Sequence, residues 1–250
     1  MSAVRAAPPR APPADPAAPS ARLHPVLYHL DEPAALFGIA LALVIGVYAH
    51  SAAQVLAAQA LGDPMGRRAG RLALQPGRHV QVFSVVAMLI AGLGWAEPVP
   101  MNERWRSRRR RVAAAVLAGP LAYALLCLAA LAGLSTGTRR VSVGGDPDDT
   151  VLDVTALGEV LFWTAVTFAG LCVLSLLPVP PLDGGRLLFI LGPTTPGWLK
   201  ARSDLEERNI GLGIVLGVLL LPRLFPGLPD VVGQLQVPLL EGLAGLVGLR

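Results

Sequence analysis

The sequence predicts an all-α polytopic membrane protein: a helical bundle of about 5–6 membrane segments with a short membrane-associated strand or re-entrant region. Composition is the first observation behind this. Of 250 residues, 53% are hydrophobic and only 15% charged, where a soluble domain carries about 25% charge. The second is a set of uncharged stretches near or above the roughly 20 residues that cross a bilayer as a helix. The third is a proline- and glycine-broken segment, Pro178–Gly185. Irregular backbone of that kind is tolerated at membrane depth only where protein or a cavity surrounds it.

Along the chain, residues 1–33 form an Ala/Pro/Arg-rich tail and a juxtamembrane segment. Their composition lacks the apolar surface to fold alone, so disorder is expected there. No apolar core of a cleaved leader precedes residue 34. His24 and His29 read as interfacial or solvated. Residues 34–195 make a membrane core, and 196–250 a C-terminal loop followed by membrane helices.

The core opens on Ala34–Pro64, which carries His50 near its middle and closes on Gly62-Asp63-Pro64. An ionisable side chain inside a span is costly and marks a functional site by default. Gln54 lies four residues on and shares a helical face with His50. Gly70-Arg71-Leu72-Ala73-Leu74-Gln75-Pro76 alternates as a strand does. Val80–Trp95 is apolar but short for a crossing. Arg104, Arg106 and Arg108–Arg111 form the densest positive cluster. Val112–Leu134 and Leu157–Leu177 are further spans, joined by a loop, Ser135–Thr150, with charges of both signs. Apolar runs at Ile210–Leu221 and Val231–Leu249 complete the chain.

The formal charge is +4, and all 21 Lys and Arg residues except Lys200 are arginine. Beside apolar spans, such residues set orientation, and no nucleic-acid module is present. If Val80–Trp95 dips into the bilayer and returns, Arg67–Arg78 and Arg104–Arg111 share the cytoplasmic side, and Ser135–Thr150 is external. A full crossing would split the two basic stretches. Arg5, Arg10 and Arg22 in the tail oppose this topology. Cys127 and Cys172 fall within spans and read as packed apolar thiols.

Five motifs occur in order: His50 with Gly62-Asp63-Pro64; Gly70-Arg71-Leu72 with His79; Gly94-Trp95-Ala96-Glu97-Pro98-Val99-Pro100-Met101-Asn102; Ala118-Gly119-Pro120; and Leu176-Leu177-Pro178-Val179-Pro180-Pro181-Leu182-Asp183-Gly184-Gly185. Over residues 35 to 195 their order and spacing resemble the bacterial site-2 proteases, intramembrane zinc metallopeptidases. The resemblance implies a first span with H-E-x-x-H, two zinc histidines around a general-base glutamate, and a third ligand from the Asp-Gly motif. Here those positions hold His50, Ser51, Gln54 and Asp183. Two positions where the family tends to carry Asn hold Tyr123 and Ser175. With Pro178 and Gly184, these are the implied substrate-cleft residues.

Chemistry weighs against activity. A catalytic zinc needs about three protein ligands and an open position, and His50 with Asp183 supplies two. A hydroxyl at Ser51 has no basic form near neutral pH, so no general base remains. The leading reading is therefore a degenerate family member in a bacterial plasma membrane, its basic loops cytoplasmic. It would be a pseudoprotease without resident cofactor that binds or regulates a membrane partner, such as a single-span protein or peptide. The rival reading is an active intramembrane zinc metalloprotease with an atypical site. A transporter or channel has only the broken helix in its favour. Structural roles compete for each residue. His50, Ser51 and Gln54 can make interhelical hydrogen bonds, and Asp183 can cap a helix or pair with Arg186.

Overall fold

A computed structural model describes residues 31–73, 79, 81–101, 109–142, 150–225 and 227–249, of which 135–142 and 150–154 are described in backbone only. The tail with His24 and His29, Leu74–Pro76, Arg104, Arg106, Arg108 and the acidic residues Asp146, Asp148 and Asp149 lie outside the described residues.

The elements follow as α1 (Pro33–Ala60), α2 (Met65–Arg68), α3 (Val82–Ala91), α4 (Arg109–Gly137), β1 (Thr138–Ser142), β2 (Thr150–Val154), α5 (Ala156–Leu176), α6 (Asp183–Leu191), α7 (Pro196–Glu206), α8 (Ile210–Leu224) and α9 (Val231–Leu246). α1, α4 and α5 are long and apolar enough to cross a membrane, and α3, α8 and α9 are shorter apolar helices. This is a polytopic helical membrane protein.

The three long helices pack on one another as the central bundle. Lipid offers no hydrophobic drive for that contact, so close packing of small residues and buried hydrogen bonds must supply it. Gly38 of α1 lies against Val160 and Trp163 of α5, and Gly133 of α4 faces Leu161 of α5. Thr164 Oγ1 donates to Gly38 O at 3.1 Å, and Cys172 Sγ to Pro120 O at 3.4 Å. Both cysteines are buried and free. Phe37, Val44 and Leu56 on α1 and Leu117, Leu121 and Leu125 on α4 remain exposed, as a lipid-facing surface requires. α9 docks on α5 through Gln236, whose Nε2 donates to Val166 O at 2.6 Å.

Two expectations are corrected. Gly70–Ala73 is not a strand: Gly70 takes φ 71° and Ala73 N closes onto Gly70 O at 3.1 Å, which makes a turn. The strands lie elsewhere: Thr138–Ser142, within the expected loop Ser135–Thr150, pairs antiparallel with Thr150–Val154, so that Thr138 faces Val154 and Ser142 faces Thr150. β-branched residues recur on both sides, as pleated structure favours.

α3 ends at Gly92, which turns left-handed at φ 71°. Ser84 then anchors the returning chain. Its Oγ donates to Trp95 O at 2.7 Å and accepts from Trp95 N at 2.8 Å. The returning segment thus lies back along α3. Glu97 N donates to His79 O at 2.6 Å, and His79 packs edge-on against Tyr48 of α1 with centroids 5.5 Å apart.

Candidate functional site

At the break between α5 and α6, the turn Leu177–Leu182 delivers Asp183 as the first residue of α6. The side chain does not cap that helix. It points instead at α1, where His50 and Gln54, one turn apart, meet its two oxygens. His50 Nε2 lies 2.5 Å from Asp183 Oδ2, and Gln54 Nε2 donates to Asp183 Oδ1 at 2.8 Å. All three side chains are buried. His50 Nε2 and Asp183 Oδ2 thus share a hydrogen bond, whose direction the imidazole tautomer sets.

Gln54 Nε2 also donates to Val116 O on α4 at 3.0 Å. With two acceptors around one nitrogen, the amide orientation is determined, because a flipped amide would set oxygen against oxygen at both contacts. Gly119 admits both side chains. A Cβ there would clash with His50 Nε2 and lie 2.8 Å from Gln54 Nε2. Tyr123, one turn further along α4, stacks its ring on His50 with centroids 4.9 Å apart.

Ser51 is fully buried, and its Oγ has no hydrogen-bond partner; the same holds for His50 Nδ1 and Gln54 Oε1. A cavity of about 10 Å³ is lined by His50, Tyr123, Ser175 and Asp183 together with Gly94–Ala96. That is near the minimum for one water, so a peptide has no room beside the pair.

Of the expected cleft residues, Tyr123 and Ser175 border this cavity, whereas Pro178 and Gly184 do not. Pro178 is exposed on the turn. Gly184 faces backwards, where a Cβ would overlap Leu176 O. Ser175 Oγ donates to Cys172 O at 2.8 Å, turned onto its own helix. Arg186 is not the partner of Asp183; its Nη2 donates to Val99 O at 3.0 Å. Val116, which contributes through its carbonyl, is not singled out from sequence, and Trp95, in the cavity wall, stands in one of the five motifs without a role assigned to it. A carbonyl's availability leaves no mark in residue type.

The residues present do not fit a catalytic zinc. The donor set is one imidazole and one carboxylate, and Gln54 turns N–H groups inward where a ligand must offer a lone pair. Zinc would hold an imidazole nitrogen and a carboxylate oxygen about 3.3 Å apart, given bonds of about 2.0–2.2 Å to each. Among the described residues, no group of three or more His, Cys, Asp or Glu side chains is arranged to hold a metal ion.

The fold and site define an integral membrane protein with a buried His–Asp–Gln cluster at the junction of three helices. Over 185 residues it is 28% identical to "Putative zinc metalloprotease YwhC" of Bacillus subtilis (strain 168), which covers 72% of this chain and 80% of that protein. No family model matches the chain. No solved structure matches it.

Proposed function

We propose that this chain is a site-2-protease-like pseudoprotease: a membrane scaffold that binds or regulates a membrane-spanning partner without cleaving it. One observation carries the reading. Both oxygens of Asp183 are taken up in hydrogen bonds, Oδ2 with His50 Nε2 and Oδ1 from Gln54 Nε2, so the position of the third ligand is occupied by protein partners. The absence of a carboxylate at Ser51 adds to this, since peptide hydrolysis needs a base for the attacking water. The similarity to a protein named as a zinc metalloprotease supports descent from a protease scaffold. The reading includes a bacterial plasma membrane, with the basic ends of the spans on the cytoplasmic side. It also includes a single-span protein or peptide as the partner, met through a surface other than this small cavity.

The rival, an active zinc metalloprotease, draws on the same similarity and on the convergence of His50, Gln54 and Asp183. Elemental analysis of detergent-purified protein separates the two. The expected result is negligible zinc in the native chain and bound zinc in Ser51→Glu/Gln54→His, which rebuilds a base and a second imidazole at helical spacing. Stoichiometric zinc in the native chain, lost in His50→Ala, would overturn the pseudoprotease.

A further inference from the structure

Apart from the His50 cluster, a cavity of about 300 Å³ lies between the returning segment at Pro98, the turn at Pro180–Pro181, and α7 with α8. That volume is at the lower end of small-molecule sites. Its walls are of two kinds. Pro98, Pro180 and Leu212 are apolar, whereas Arg186 and Arg202 bring guanidinium groups, Gln81 and Asn209 bring amides, and Glu206 brings a carboxylate.

The two arginines differ in state. Arg202 Nε is bound to Glu206 Oε2 at 2.9 Å, a half-exposed pair on one face of α7. Among the described residues, Arg186 has one hydrogen bond, to Val99 O, and its buried Nη1 has no partner. Among the described residues no carboxylate forms an ion pair with it; Asp183 and Glu206 act on it through space while hydrogen-bonded to other partners. A buried guanidinium N–H without an acceptor is costly, and an incoming anion would supply one. Immediately after Asn209, α8 turns Ile210 and Ile214 outward, 47% and 41% exposed, and Leu199 of α7 is 50% exposed. A charged cavity therefore adjoins an apolar outer surface.

We propose that this cavity seats the phosphate of an anionic phospholipid headgroup, with its acyl chains lying along the outer face of α8. The guanidinium fork matches phosphate oxygens geometrically. Basic pockets between membrane helices take such headgroups. A soluble phosphate would use the same donors but would leave the apolar surface unused. This assignment does not depend on what the His50 cluster does.

The test uses the full chain in detergent, with phosphatidylglycerol or phosphatidylcholine added and retained lipid counted by native mass spectrometry. Phosphatidylglycerol is expected to be retained in preference, and Arg186→Gln to weaken it about tenfold, as loss of one charge-assisted contact does. Glu206→Gln is expected to strengthen it by releasing Arg202, a gain that misfolding cannot imitate. Equal retention of the two lipids would overturn the proposal. So would unchanged phosphatidylglycerol retention in both variants. Glycerol 3-phosphate binding as tightly as the lipid would overturn the lipid assignment while leaving the phosphate chemistry in place.

Discussion

Asp183 and its two partners show how narrowly a buried polar cluster is specified. α1 contributes His50 and Gln54, α6 contributes Asp183 and α4 the Val116 carbonyl, and Gly119 of α4 leaves room for both α1 side chains. Gly119→Ala would place a Cβ against His50 Nε2 and Gln54 Nε2 in a region where both side chains are fully enclosed. Neither can retreat without giving up a hydrogen bond to Asp183. The expected cost is about 1–3 kcal/mol, the usual range for overpacking, read as a lower midpoint of thermal unfolding in detergent. An unchanged midpoint would mean that the cluster is loosely held. The spacing of four residues makes His50 and Gln54 neighbours before any coordinates. Which end of the Gln54 amide turns inward was not legible, because Val116 O, 62 positions away on another helix, decides it.

At the scale of elements, α6 depends on two glycines against the preceding turn. A Cβ on Gly184 would overlap Leu176 O, and one on Gly185 would overlap Pro180 N. These are backbone atoms, which cannot swing aside as a side chain can. Gly184→Ala should therefore push α6 away from the end of α5 and carry Asp183 with it. The expected loss is about 1–3 kcal/mol or more, with greater protease sensitivity around the turn. A variant as stable and as protease-resistant as the parent would refute this account of the break. The three long spans were readable because length and hydropathy determine them alone. The strand was not: Gly70–Pro76 alternates, but Gly70 adopts a conformation that turns the chain. In the real hairpin the signal was Thr138, Val141, Thr150, Val151 and Val154, diluted by the charges between them.

For the whole molecule, the packing of the long helices determines which loops share an end. Gly38, near the start of α1, meets Val160, near the start of α5, so those helices run parallel. α4 runs against them, because Gly133 near its C-terminal end meets Leu161 at the same level. The hairpin thus lies beyond the end of the bundle where α1 begins, and Arg68 and Arg109 lie toward the other. α3, at 10 residues, is about 15 Å long, half the roughly 30 Å of a hydrocarbon core. It is too short to carry the chain across, which keeps Arg68 and Arg109 toward one end. The positive-inside bias then predicts that this end faces the cytoplasm. Single cysteines test this in a background lacking Cys127 and Cys172. Arg68→Cys is the better choice over Arg71, because Arg68 is exposed while Arg71 is held near Glu97 at 3.6 Å. In intact cells, Arg68→Cys and Arg109→Cys should be shielded from a membrane-impermeant thiol reagent, and Asp148→Cys, between β1 and β2, should react. Labelling of only one of the two arginine positions would show that α3 crosses. Labelling of both, with Asp148→Cys protected, would keep the bundle and reverse its orientation in the membrane.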